Sequence, residues 1–140
     1  MATHPPKATI LVVDDEIQLR QLLARKLRGE GYTVLEAGYG LEALEVARES
    51  AEPVDLVLSD IVMPGMIGTE LARHLAEEHP GIRVVLMSAH AVGSGAIGIE
   101  PEVNLPVLCK PFDGRRMLAL VELVLSTSPA AITPSESAPD

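Results

Sequence analysis

The chain has 140 residues, a net charge of −9 and a sequence pI near 4.8; 47% of it is hydrophobic and only 2% aromatic. That length suits one domain whose core must come from Leu, Val, Ile, Ala and Met. The acidic balance and scattered Lys and Arg residues exclude a nucleic-acid-binding surface, the single Cys109 excludes an internal disulfide, and no apolar stretch approaches the roughly 18 residues of a membrane span.

Residues 1–7 include Thr3-His4-Pro5-Pro6, carry no apolar signal-peptide region and read as a flexible tail of a cytoplasmic domain. Ala8 to Val13 reads as a strand ending in Asp14-Asp15. Leu19, Leu22, Leu23 and Leu27 stripe a first helix, which Gly29 and Gly31 stop. Tyr32 to Glu36 is a second strand, and Leu41, Leu44 and Ala47 mark a second helix ended by Ser50-Ala51-Glu52-Pro53. The run Val54-Asp55-Leu56-Val57-Leu58-Ser59-Asp60 then ends at the turn Ile61-Val62-Met63-Pro64-Gly65. Leu71, Ala72, Leu75 and Ala76 stripe a third helix closed by Pro80-Gly81, and Ile82 to Met87 is a strand ending in Ser88-Ala89.

A fourth helix is due next, but Gly93, Gly95, Gly98 and Pro101 fall inside it. Each interior Gly costs about 1 kcal/mol relative to Ala, so a short or frayed helix in a mobile segment is expected. Leu105 to Cys109 is the fifth strand and runs into Lys110-Pro111-Phe112. The last helix extends from its N-cap Asp113 to Ser126, with Met117, Leu120, Val121, Val124 and Leu125 on its inner face. Residues 127–140, rich in Pro, Ser and Ala, read as a disordered tail with no output domain.

Alternating strands and helices with mostly apolar strands imply an α/β domain: a doubly wound, five-stranded parallel sheet over residues 8–126. Right-handed crossovers gather the strand carboxyl ends on one edge, where open α/β sheets bind ligands. Asp14, Asp15, Asp60, Ser88 and Lys110 all fall there. Clustered carboxylates repel one another and call for a cation. Mg²⁺ fits, because it prefers oxygen ligands and takes one or two carboxylates directly. Asp15 and Asp60 supply ligands, Asp14 holds a bound water, and the backbone carbonyl of Val62 completes the set. The Lys110 ammonium and the Ser88 hydroxyl would then face an anionic group, such as a phosphoryl on Asp60.

The set Val12-Val13-Asp14-Asp15-Glu16, Asp60-Ile61-Val62-Met63-Pro64-Gly65-Met66, Met87-Ser88-Ala89 and Lys110-Pro111-Phe112 resembles the receiver domains of two-component response regulators. The resemblance implies a flavodoxin-like sheet of order 2-1-3-4-5. It implies that Asp60 accepts a phosphoryl group from a phosphohistidine on a sensor histidine kinase or a histidine phosphotransfer protein. It also implies that Asp14 and Asp15 organise Mg²⁺, that Lys110 ties to the phosphoryl oxygens, that Ser88 senses them, and that Lys110-Pro111 is cis. Residues 100–112 resemble receivers of hybrid histidine kinases in particular. Such a domain is a phosphorelay intermediate or a protein-binding switch rather than an enzyme, with slow self-dephosphorylation only.

The chain departs from the family pattern at Val107, where an aromatic usually reports phosphorylation, at Ile67-Gly68, where Asp-Gly is usual, and in the Gly-rich segment. The alternatives are a receiver-fold interaction module that needs no phosphate and an Mg²⁺-dependent aspartyl-phosphate phosphatase. The second is disfavoured by Val62, which stands where such enzymes carry an acid. In the family, the positions of Val62 and His90 tune phosphoryl lifetime; a solvated loop histidine is the plainer reading of His90. His4, His74 and His79 read as solvated, and Cys109 as packed and inert. Leu118 and Leu123, partly off the last helix's main stripe, mark either a wide buried face or a surface for a downstream target or a homodimer.

Overall fold

Residues 7–89 and 96–127 are described in the computed structural model. Within them the chain runs β1 (Thr9–Val13), α1 (Ile17–Gly29), β2 (Thr33–Ala37), α2 (Gly40–Glu49), β3 (Leu56–Asp60), α3 (Gly68–Glu78), β4 (Arg83–Ser88), β5 (Ile97–Glu100), β6 (Leu105–Cys109) and α4 (Gly114–Leu125). These strands form one sheet of order β2-β1-β3-β4-β6-β5. Every pairing from β2 across to β6 is parallel, and only β5 runs antiparallel, against β6.

The side-chain period of two along the strands splits the core in two. Ile10 and Val12 of β1 point to one face, with Leu23 and Leu27 of α1 and Met117 and Val121 of α4. Leu11 and Val13 point to the other, with Leu44 of α2 and Leu71 and Leu75 of α3. Every residue of β1 and β3 is buried, as expected of central strands covered on both faces. Asp113 caps α4, its Oδ1 accepting from the Arg116 amide at 2.8 Å.

The doubly wound order expected from the sequence is present as β2-β1-β3-β4-β6. The sheet has six strands rather than five, because β5 adds itself outside β6. Where the short or irregular fourth helix was due, residues 97–100 are therefore extended, and no helix occurs among the described residues between β4 and β6. Ile97 and Ile99 alternate around Gly98, which suits a strand better than a helix. The return turn closes through the Asn104 amide donating to the Glu100 carbonyl at 2.7 Å, with Asn104 at φ +56°. Asn is among the few residues that tolerate this left-handed geometry. Residues 90–95, with His90, Gly93 and Gly95, lie outside the described residues, as do 1–6 and 128–140 of the expected tails.

Candidate functional site

The strands β1, β3, β4 and β6 are neighbours, so their carboxyl ends emerge side by side. Asp14 follows β1 directly, Asp60 is the last residue of β3, Ser88 the last of β4, and Lys110 follows β6. Across the β3–β4 ladder Asp60 is paired with Met87, one residue before Ser88. The Lys110 amide donates to the Ser88 carbonyl at 2.8 Å, which fixes the lysine backbone against β4. The Lys110-Pro111 peptide is cis, as the resemblance implied.

Asp14 is wholly buried and Asp60 nearly so, whereas Asp15 is exposed. One carboxylate oxygen from each of these residues lies within 4.8 Å of the others. Lys110 is largely buried between two of them. Its Nζ donates to Asp14 Oδ2 at 3.2 Å and to Asp60 Oδ2 at 3.3 Å. The other oxygen of Asp14 accepts from the Glu16 amide at 2.8 Å. Asp14 therefore does not cap α1 itself: the N-cap position is Glu16, which makes no side-chain cap bond.

Burial pushes the Asp60 carboxyl above its usual range; the Lys110 ammonium pulls it down without overcoming burial, and Asp14 and Asp15 add to the rise. For Lys110 burial favours the neutral amine, but Asp60 and Asp14 outweigh it and raise its pKa overall. Three carboxylates and one ammonium leave two negative charges on the cluster. A divalent, oxygen-preferring cation matches both that charge and the all-oxygen donor set. The residues present thus fit Mg²⁺, with Asp14, Asp15 and Asp60 supplying the carboxylates. Val62 sits in the turn after β3 and is 60% exposed, and its carbonyl belongs to the backbone leaving Asp60.

That turn is tightly held. The Ile61 amide donates to the Met87 carbonyl at 2.9 Å, and the Gly68 amide to the Ile61 carbonyl at 2.6 Å. Gly65 takes φ +86° beyond Pro64, a geometry only glycine adopts freely. Gly68 approaches Asp60 so closely that a Cβ there would lie 2.5 Å from the Asp60 carbonyl oxygen. In the sequence Ile67-Gly68 stands out only because Ile67 takes the place of the family's usual Asp before Gly, and nothing there signals the contact of Gly68 with the phosphoacceptor candidate. A sequence reading also misses Arg20, whose Nη1 donates to the Asp14 carbonyl at 3.1 Å. A lone arginine on a helical face carries no signal of such a contact.

Cys109 is buried, as expected. His74 is exposed, but His79 is half-buried with an Nε2 that has no hydrogen-bond partner among the described residues, so the expectation of a solvated side chain fails there. His79 terminates α3: its amide donates to the Leu75 carbonyl at 2.7 Å, and its own carbonyl accepts from the Ile82 amide at 3.0 Å in the tight turn into β4. Val107 is buried in the cluster beneath α2 and α3. Leu118 packs partly on the α1–α4 core, while Leu123 is 60% exposed.

The model of the response regulator receiver domain matches residues 10–122. The chain is 39% identical over 118 residues to the sensor kinase CckA of Brucella abortus, covering 84% of this chain and 12% of that protein. It is 38% identical over 120 residues to the DNA-binding transcriptional regulator NtrC of Escherichia coli, covering 86% of this chain and 25% of that one. The chain thus spans a quarter or less of the length of these curated relatives. Among solved structures, the receiver domain of the hybrid histidine kinase CckA superposes with a TM-score of 0.72 at 34% identity, covering 85% of this chain and all of that one. The receiver domain of NtrX from Brucella abortus gives 0.68 at 30% identity, covering 85% of this chain and 99% of that one. With the family match spanning most of its length and the strand-end constellation in place, this chain belongs to the response regulator receiver domain family.

Proposed function

We propose that Asp60 accepts a phosphoryl group from the phosphohistidine of a sensor kinase or a phosphotransfer protein, in an Mg²⁺-dependent reaction, and that the domain acts as a phosphorelay intermediate or protein-binding switch. The observation that carries this reading is the bridging of Lys110 between Asp14 and Asp60 beside the exposed Asp15. In the transfer, an Asp60 carboxylate oxygen attacks phosphorus and the phosphorus–nitrogen bond breaks. The electron pair stays on the departing imidazole, and Asp60 becomes a mixed anhydride. When bound, the metal neutralises charge on the carboxylates and the incoming phosphoryl oxygens.

The chain's own residues do the rest. Asp60 is fixed at the end of a fully buried strand, so its carboxylate is presented without a search. The Lys110 ammonium leaves Asp60 for a phosphoryl oxygen while its backbone stays tied to β4. The Ser88 hydroxyl, on the adjoining strand end, donates to the same group. Val62 offers no proton donor two residues after Asp60, which speaks against turnover on small phosphoesters. Output without an aromatic at Val107 must be read from the charge and acceptors added at Asp60.

The test is phosphotransfer from a histidine-phosphorylated kinase or phosphotransfer domain. Label should leave the donor histidine and appear on the wild type but not on Asp60→Asn. Label that reaches Asp60→Asn equally, or a folded wild type that takes none from donors shown to serve another receiver, would count against the proposal.

A further inference from the structure

Arg20 stands in α1, with its side chain mostly buried against β2 and the loop after β1. Its Nε donates to Glu36 Oε1 at 3.1 Å, and its Nη1 to the main-chain carbonyl of Asp14 at 3.1 Å. Glu36 is held from its other oxygen by Arg28 Nη1 at 3.4 Å. The Asp14 amide meanwhile donates to the Ala37 carbonyl at 3.1 Å, next to Glu36 on β2. One guanidinium therefore grips the peptide group that joins Asp14 to Asp15. That peptide carries the two carboxylates on its flanking Cα atoms, so its plane sets the angle between them. Asp14 has further restraints in the Glu16 amide and Lys110, whereas Asp15 is exposed and depends more on the backbone that carries it.

We infer that Arg20 is a positioning residue for the divalent-cation site, acting through the Asp14 carbonyl and braced by Glu36. This deepens the proposed function and rests on its reading that Asp14, Asp15 and Asp60 hold Mg²⁺. Two effects of the guanidinium have opposite signs. As a positive charge near a cation site it weakens binding, so its removal by charge alone would tighten Mg²⁺. As a brace it favours binding, so its removal loosens Mg²⁺. The planar fork serves two acceptors in a fixed geometry that an ammonium does not reproduce.

The experiment is Mg²⁺ titration by calorimetry on the full chain, with thermal unfolding in parallel, for wild type, Arg20→Met, Arg20→Lys and Arg25→Met. Arg25 is an exposed cation on the same helix and controls for charge. Arg20→Met is expected to raise the Mg²⁺ Kd by about tenfold, the low end for residues that orient metal ligands. Arg20→Lys, which keeps the charge but not the fork, also raises it, and Arg25→Met leaves it unchanged or lower. An Arg20→Met protein that binds Mg²⁺ as tightly as wild type or tighter, with only its Tm lowered, overturns the inference. Should Arg20→Met not fold, Arg20→Lys decides alone: a weaker Kd supports the brace and an unchanged Kd overturns it. A folded wild type that binds no Mg²⁺ overturns the metal reading itself, and this inference with it.

Discussion

Asp60 holds its carboxylate in a nearly closed site, and burial works against its charge. A carboxyl whose pKa is raised by folding favours the native state while it is protonated. That contribution is complete below the usual Asp range, about pH 4, and is lost as pH rises through the raised native value. With Mg²⁺ chelated, Asp60→Asn is therefore expected to melt higher than wild type at neutral pH, and the gap should close as pH falls toward about 4. Added Mg²⁺ should reverse the order, since a ligand at ten times its Kd stabilises by about 1.4 kcal/mol. Thermal unfolding across pH with and without chelator checks both. Gly68 supplies a second expectation. A methyl there meets the Asp60 carbonyl oxygen at 2.5 Å and the Ile61 Cα at 2.9 Å, both backbone atoms. Gly68→Ala should cost about 1–3 kcal/mol in urea unfolding. It should also slow labelling of Asp60 toward the ~100-fold loss that an ångström of misplacement can cause.

The elements were legible where apolar period and stop residues agreed. The striping by Leu71, Ala72 and Leu75 fell on the buried face of α3, and Asp113 capped α4. The β5–β6 hairpin was not legible, because Gly93, Gly95, Gly98 and Pro101 read as helix breakers. The usable signal was different in kind: the Ile97-Gly98-Ile99 alternation, followed by Pro101 and an Asn at the end of the turn. Pro106 in β6 pointed the other way, because a residue without an N–H suits an edge strand, and β5 lies outside it, opposite Ile99. Asn104 gives the hairpin its own test. At φ +56°, a β-branched side chain is strained by about 1–2 kcal/mol, whereas glycine is not. Asn104→Val should lower stability by about that amount in urea unfolding, and Asn104→Gly should leave it nearly unchanged. Equal stability of the two variants would mean that this turn does not take the left-handed conformation.

At the scale of the whole molecule, the sheet order does the work that makes a site from distant residues. Asp14 and Lys110 are 96 positions apart and meet because β1, β3, β4 and β6 end on one edge. That convergence was readable in advance, since the parallel order follows from alternating elements and each polar residue closes an apolar run. The supports of the site were not readable: the Arg20 grip on the Asp14–Asp15 peptide and the approach of Gly68 to Asp60 depend on contacts between elements that no local pattern encodes. Among the described residues no helix is long and apolar enough to cross a membrane. The central claim is that this edge takes a phosphoryl group on Asp60 with the help of a divalent cation. Intact mass after incubation with acetyl phosphate, with and without Mg²⁺, on wild type and Asp60→Asn, tests it most directly. The account predicts a gain of one phosphoryl group in wild type with Mg²⁺ and none in the other three samples. An equal gain without Mg²⁺ or in Asp60→Asn, or no gain in a folded wild type that binds Mg²⁺, would contradict it.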